Sequence, residues 1–272
     1  MKKLKFDQNN WPFPLWIAHR GGGNVAPENT MKGFEAGYAY GLTGVEFDVK
    51  LSKDGYPIVI HDDDFNRVGG KNLKVRDLLL EDIVSKIEVG IAYPTYFPAY
   101  VPTFEEVARF CVKRHIATNV EIKACDEREI ETAERVAHDA MRYWEKSKLL
   151  PLFSSFSILA LETVQKLYPK SMRGLLIEDW SLGTKGILAE LKRLGCVSLH
   201  APEKELTRKR LKAIQDQGYV VLTWTVNDLS RAQELVDWGV QGIITDLIDK
   251  APVPALLATE SNETATGGPK VG

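Results

Sequence analysis

The sequence predicts an α/β protein, a TIM-type (β/α)8 barrel with a small insertion after a hairpin on its second strand. Three observations predict it. Eight short β-rich runs alternate with segments of helical periodicity along the 272 residues. Glycines stand where a left-handed residue closes a helix, at Gly41, Gly195, Gly218 and Gly239. Eight β/α units also fit the roughly 250 residues that such a barrel takes; an open doubly wound sheet is the runner-up.

In chain order, the first run is LWIAH (15–19), followed by a glycine-rich turn, Gly21-Gly22-Gly23. Met31, Phe34 and Tyr38 then fall at helical spacing, with Asn29 and Thr30 placed to cap that helix. The second strand, GVEFDVKL (44–51), continues into a hairpin whose turn is signalled by Asp54-Gly55. Residues 62–102 are too long for a βα loop of about 2–6 residues and read as an insertion. Within it VRDLLLEDIVSKI looks helical, and YPTYFPAY supplies Tyr93, Tyr96, Phe97 and Tyr100, expected mainly to pack the insertion. Phe104, Val107, Ala108, Cys111 and Val112 form the next helical stripe, as do Ile130, Ala133, Ala137 and Met141 after the strand NVEIK (119–123). The remaining strands are LFSSF (152–156), RGLLIE (173–178), VSLHA (197–201), VVLTWTV (220–226) and GIITD (242–246). Residues 1–258 thus read as one barrel unit, and the polar, Gly-rich stretch 259–272 as a disordered tail.

Composition narrows the function classes. Thirty-five Lys+Arg against thirty-seven Asp+Glu give a formal net charge of −2, without the basic excess of a nucleic-acid binder. No apolar run reaches the roughly 18 residues of a membrane span, and the N-terminal lysines lack the apolar region of a signal peptide. Cys111, Cys125 and Cys196 are too dispersed for a disulfide framework or a C-x-x-C zinc site. A cytoplasmic protein is the expectation.

In a barrel of this kind the chemistry lies at the C-terminal ends of the strands. There the sequence places His19 and Arg20 on the first strand, Glu46 and Asp48 on the second, and Glu121 and Lys123 on the third. With Asp54-Gly55 as a two-residue turn, Asp48 pairs with His61, and Glu46 shares their face. The opposite face then sets Val49 and Leu51 against Ile60 and Ile58. Two carboxylates at i, i+2 repel unless a cation lies between them. Glu121 completes a three-carboxylate site whose all-oxygen donors suit Mg²⁺ or Ca²⁺. Lys123 can bind an anion beside the cation, and Arg20 suits bidentate contact with phosphate oxygens. A cation, Arg20, Lys123 and two histidines around one cavity describe a phosphate-processing centre. His115 and His138 read as structural. His200 closes the sixth strand within reach of the mouth, and Trp224 can form an apolar wall beside substrate.

Taken together, His19-Arg20-Gly21, Pro27-Glu28-Asn29-Thr30, Glu46-x-Asp48, Lys53-Asp54-Gly55, His61-Asp62, Glu121-x-Lys123, Trp224-Thr225-Val226-Asn227 and Gly242-Ile243-Ile244-Thr245-Asp246 resemble the glycerophosphodiester phosphodiesterase family. The motifs stand in family order from residue 19 to 246. The resemblance implies divalent-metal-dependent hydrolysis of glycerophosphodiesters to sn-glycerol 3-phosphate and an alcohol through a cyclic phosphate. It implies His19 and His61 as the acid/base pair, Glu46, Asp48 and Glu121 as metal ligands, and Arg20 and Lys123 as phosphate contacts. Glu28 and Asn29 match the family's Pro-Glu-Asn-Thr segment and read mainly as the start of the first helix, with the surroundings of the site as a second use for Glu28. The segment after His61-Asp62, FNRVGGKN, departs from the Arg-Thr-Thr pattern with glycines that family members often carry. The expected partner is a small glycerophosphodiester, with no nucleic acid and no stable membrane association, and with a homodimer left open. A lysophospholipase D acting on lipid-like diesters and a non-catalytic phosphodiester-binding barrel are the alternatives.

Overall fold

The computed structural model describes residues 10–253 apart from Ala124 and Asp126. The N-terminal lysines and the tail reading at 259–272 therefore lie outside the described residues. Eight parallel strands form the barrel: Trp16–Ala18, Gly44–Leu51, Ala117–Ile122, Leu152–Ser155, Met172–Leu176, Ser198–Pro202, Val220–Trp224 and Gly242–Thr245. Closure is direct, because the first strand pairs with the eighth (Ile17 opposite Ile244) and also with the second (Ala18 opposite Val45). The open doubly wound sheet is thereby excluded.

The helices form where apolar spacing and caps coincide. Helix Phe104–Lys113 opens with a capping box, Thr103 and Glu106 each satisfying the other's backbone N–H, and buries Phe104, Val107, Ala108 and Cys111 against the strands. Helix Met31–Ala39 is capped by Thr30, whose side chain accepts from Gly33 N. Asn29 does not cap it, contrary to expectation, and is used elsewhere. The four glycines that punctuate the helices all have positive φ, from 58° at Gly195 to 92° at Gly41.

Burial is layered, and the layering positions the site. Phe47, Val120, Phe153 and Val221, with others, pack between strands and helices. Inside the barrel, Ile17, Ala117, Leu152, Met172, Val220 and Leu222 plug the N-terminal end with apolar atoms. Above that plug the inward positions turn polar: Glu46, Asp48, Asn119, Glu121, Ser154, Ser198 and His200 are all buried. Water excluded below and polar groups gathered above leave the strand C-termini as the place for chemistry.

The hairpin differs from its predicted register by one residue. Val49 lies opposite Val59 and Leu51 opposite Pro57, not opposite Ile60 and Ile58. The loop holds three residues, Lys53, Asp54 and Gly55: Ser52 N–H bonds to Tyr56 O, Gly55 N–H to Ser52 O, and Gly55 takes φ 78°. The Ser52 hydroxyl closes this wider loop by donating to Asp54 Oδ1 and accepting from Tyr56 N–H. Asp48 therefore opposes Ile60, whose N–H bonds to Asp48 O at 3.0 Å. A one-residue slip exchanges faces, so Ile58 and Ile60 pack into a separate cluster with Phe65, Val75, Ile83 and Val101. His61 reaches the barrel mouth because the strand ends at Val59 and the chain turns away.

Within 62–102 the predicted helix is split into a 3-10 turn, Val75–Asp77, and a helix, Leu80–Lys86, with Leu78 extended between them. The aromatic segment is less packed than expected: Phe97 and Tyr100 are exposed, and only Tyr93 and Tyr96 are partly covered. Lys50, fully buried on the second strand, ties the start of 62–102 to the barrel through Asp63 Oδ1 at 2.5 Å.

Candidate active site

A cleft of roughly 430 Å³ opens at the C-terminal ends of the strands. Its walls gather eight of the side chains that the sequence singles out: His19, Arg20, Glu46, Asp48, His61, Glu121, Lys123 and Trp224. Asn119, Phe156, Leu176 and Ile244 complete much of the lining.

The floor is a carboxylate triad. Glu46, Asp48 and Glu121 are buried and each offers an oxygen within 4.8 Å of the others, the single such cluster among the described residues. At an effective dielectric of about 20, two charges 4.8 Å apart cost about 3 kcal/mol. Burial and Asp48 push the Glu121 carboxyl up to about 7. Burial, with Asp48 and Glu121 adding repulsion, raises Glu46 well above the usual carboxylate range. Burial also pushes on Asp48, but Arg20, His61 and Lys123 outweigh it and keep that carboxyl below its ordinary value. Buried, all-oxygen and under-compensated, this donor set fits a hard divalent cation.

Asp48 is held in place by Asn29, whose Nδ2 donates to Oδ2 at 2.9 Å. That is the task of Asn29, whose left-handed backbone (φ 52°) turns its amide inward. The Arg20 backbone N–H donates to Glu46 Oε2 at 3.2 Å, while its guanidinium bonds Glu28 Oε1 at 2.8 Å and lies 3.5 Å from Asp48 Oδ2. Lys123 Nζ sits 3.2 Å from Glu121 and 3.9 Å from Asp48.

Each histidine is oriented by a carboxylate on its Nδ1. His19 meets Asp246 Oδ1 at 2.6 Å, and His61 meets Asp62 Oδ1 at 2.6 Å. An ionised carboxylate only accepts, so Nδ1 carries the proton in both rings and Nε2 is left for the cleft. His19 Nε2 lies 3.9 Å from Glu46 Oε2. Asp246 is itself fixed: Asn227 Nδ2 donates to its Oδ2 at 2.6 Å, and Asn227 Oδ1 accepts the Asp246 N–H at 2.9 Å. Gly23 lets the turn after the first strand approach the Asp246 backbone, because a Cβ there would lie 2.3 Å from the Asp246 carbonyl oxygen. Burial lowers the His61 pKa, and Arg20 and Lys123 add to the effect against the opposing pull of Asp48 and Asp62.

One wall is apolar. Phe156 meets Trp224 edge to face, with centroids 5.5 Å apart, and Lys123 Nζ lies 5.7 Å from the Phe156 centroid. Trp224 is anchored by Nε1 donating to His200 O at 3.3 Å. His200 itself stays in the interior, fully buried against Ser198 Oγ at 3.0 Å, with burial pushing its pKa down to about 3. It does not line the mouth. His138 packs outside the barrel, sharing a hydrogen bond with the Tyr168 hydroxyl at 2.6 Å.

The sequence reading left Asp62, Asn227 and Asp246 without roles and missed Phe156. Asp62 and Asp246 stand inside quoted motifs, and the available signal was their place, one immediately after a histidine and one ending the eighth strand.

Barrel and cleft together define a (β/α)8 enzyme built to handle a phosphate ester. A model of the glycerophosphoryl diester phosphodiesterase family matches residues 19–250, and the chain belongs to that family. It is 30% identical over 238 residues to a glycerophosphodiester phosphodiesterase of Caldanaerobacter subterraneus subsp. tengcongensis, covering 85% of this chain and 93% of that one. A Bacillus subtilis glycerophosphodiester phosphodiesterase is 29% identical, covering 86% of this chain and 84% of its own. Among solved structures, an Oleispira antarctica phosphodiesterase in complex with the product sn-glycerol-3-phosphate is similar, with a TM-score of 0.80 and 29% identity over 88% of this chain and 95% of that one. The Thermotoga maritima glycerophosphodiester phosphodiesterase is also similar, with a TM-score of 0.69 and 26% identity over 88% and 97% of the two chains. Among the described residues no helix is long and apolar enough to cross a membrane.

Proposed function

We propose that this enzyme hydrolyses glycerophosphodiesters to sn-glycerol 3-phosphate and an alcohol through a cyclic phosphate, with His19 and His61 as the acid/base pair. One observation carries the reading: both imidazoles are locked at Nδ1 by a carboxylate and turned to one cleft above a buried acidic triad. Glu46, Asp48 and Glu121 would hold a divalent cation, Mg²⁺ or Ca²⁺, which when bound supplies charge neutralisation at the phosphate oxygens.

Arg20 and Lys123 hold the non-bridging phosphate oxygens, with the glycerol carbons against Trp224. One histidine takes the proton of the glycerol 2-hydroxyl as its oxygen attacks phosphorus. The bond from phosphorus to the departing alkoxide breaks, and the other histidine, which enters the cycle as the imidazolium with protons on both nitrogens, gives that alkoxide its Nε2 proton. In the second half, the histidine that gave its proton takes one from water, the water oxygen opens the ring, and the first histidine returns its proton to the 2-oxygen. Both rings end as they began.

Replacing His19 or His61 by Ala should lower kcat by about 10² to 10⁴, the ordinary span for a lost general acid or base, with the circular dichroism spectrum unchanged. Near-normal turnover in either variant sinks its assignment. A diester lacking the 2-hydroxyl should not turn over, and its efficient hydrolysis would rule out the cyclic route.

A further inference from the structure

The segment after His61-Asp62 contributes one side chain to the network behind the cleft. Arg67 lies on the short helix Asn66–Gly69. Its Nη1 donates to Glu28 Oε2 at 2.6 Å and its Nη2 to Glu28 Oε1 at 2.8 Å, a two-pronged contact across 39 residues of sequence. Its Nε donates to Asp62 Oδ2 at 2.7 Å. The second oxygen of Asp62 orients His61, and Glu28 Oε1 also receives Arg20 Nη1 at 2.8 Å. One guanidinium therefore stands midway in a continuous chain: His61, Asp62, Arg67, Glu28, Arg20.

We propose that Arg67 is a positioning residue that sets both His61 and Arg20 for the reaction, so that the segment 62–102 is part of the working site. This rests on the roles given above to His61 and Arg20. Two physical consequences follow from the geometry. Asp62 points one oxygen at His61 while the other is held by Arg67 Nε, which limits rotation of the carboxylate and with it of the imidazole. Glu28 would neutralise Arg20 if they were alone; with Arg67 bonded to both of its oxygens, its charge is divided between two guanidiniums and less of it falls on Arg20, which leaves more of the Arg20 charge for a phosphate. Burial pushes the Glu28 and Asp62 carboxyls up, yet the Arg67 hydrogen bonds help bring both below their ordinary values, which keeps them ionised as acceptors.

The two consequences separate in kinetics. Positioning of His61 acts on kcat, and a misplacement of about 1 Å costs up to about 10² in rate. The shared charge acts on substrate binding and hence on KM. The test uses the full chain with sn-glycero-3-phosphocholine and excess divalent cation, comparing wild type, Arg67→Ala, Arg67→Lys and His61→Ala. Arg67→Ala should lower kcat about 10- to 100-fold and raise KM several-fold. Arg67→Lys restores the charge without the fork, so KM should return towards wild type while kcat stays low. Arg67 is half exposed, so both variants should keep the wild-type fold by circular dichroism. The proposal is overturned if Arg67→Ala keeps both parameters within twofold. It is also overturned if Lys restores kcat in full, or if the loss of activity only follows a loss of folded protein. His61→Ala separates the two readings: if it retains activity, the acid/base assignment fails by itself. If it is inactive while Arg67→Ala is normal, only the role of Arg67 fails.

Discussion

Replacing Asp246 by Asn should be more damaging than replacing it by Ala, although Asn is the closer match in shape. The reason lies in the fixed orientation of Asn227. Its Oδ1 accepts the Asp246 N–H at 2.9 Å, so its Nδ2 must be the atom 2.6 Å from Asp246 Oδ2. An Asn at 246 would have to turn its amide oxygen to that donor, which places its NH₂ against His19 Nδ1. Nδ1 then has to accept, the proton moves to Nε2, and the ring enters the cycle in the wrong tautomer. Asp246→Ala only removes the orienting bond. A hydrogen bond to a charged group contributes about 1.5–3 kcal/mol, which corresponds to a loss of roughly 10- to 150-fold in kcat. The inverted tautomer adds to that loss, with about 10⁴ as the ceiling seen where an Asp→Asn change inverts a catalytic histidine. The assay is steady-state release of sn-glycerol 3-phosphate, with circular dichroism to confirm that both variants fold. An Asn variant as active as the Ala variant, or within tenfold of wild type, would refute the reasoning.

The remaining predictions concern the triad and the barrel interior. Glu121, raised to about 7, and Glu46, also raised, bind protons in the folded, cation-free protein over a pH range where the unfolded chain does not. Stability from these groups is present at low pH and lost as pH rises through about 7. The cation-free protein should melt at a lower temperature at pH 8 than at pH 6. Cation affinity should rise over the same interval with proton release, measured by titration calorimetry in buffers of different ionisation enthalpy; a pH-independent affinity without proton release contradicts this. Asp62 and Asp246 have lowered values and act with the opposite sign, but only below about pH 4. Gly174→Ala should cost about 1–3 kcal/mol by overpacking, because its Cβ would lie 2.4 Å from His200 Nε2 and 2.8 Å from Ser198 Oγ. An unchanged urea midpoint would mean that this interior layer is looser than described.

What was legible in the sequence follows from how local each signal is. Strands and helices were readable because apolar spacing and the closing glycines are written in consecutive residues. Glu46, Asp48 and Glu121 were readable for the same reason: strand period and barrel polarity assign them to one end. Ambiguity entered where a turn decides. Asp54-Gly55 is compatible with loops of two and three residues, and the longer one is closed by bonds of the Ser52 hydroxyl that the Asp-Gly pair does not announce. Asn29 carried two uses that sequence cannot rank, a cap or an inward amide, and the cap fell to Thr30. Least visible were the partners behind the cleft. Asp246 meets His19 across 227 residues, and Arg67 meets Glu28 from within a segment with no regular pattern. His200 shows the converse: strand period put it inside the barrel, but it is fully buried against Ser198 and does not line the cleft.

The most direct test is product formation by the purified chain under control of the cation. With sn-glycero-3-phosphocholine as substrate, release of sn-glycerol 3-phosphate should be readily measured. It should fall by about 10² or more after exhaustive chelation and return on adding Mg²⁺ or Ca²⁺. Undiminished release after chelation, or no release with either cation present, would contradict the account.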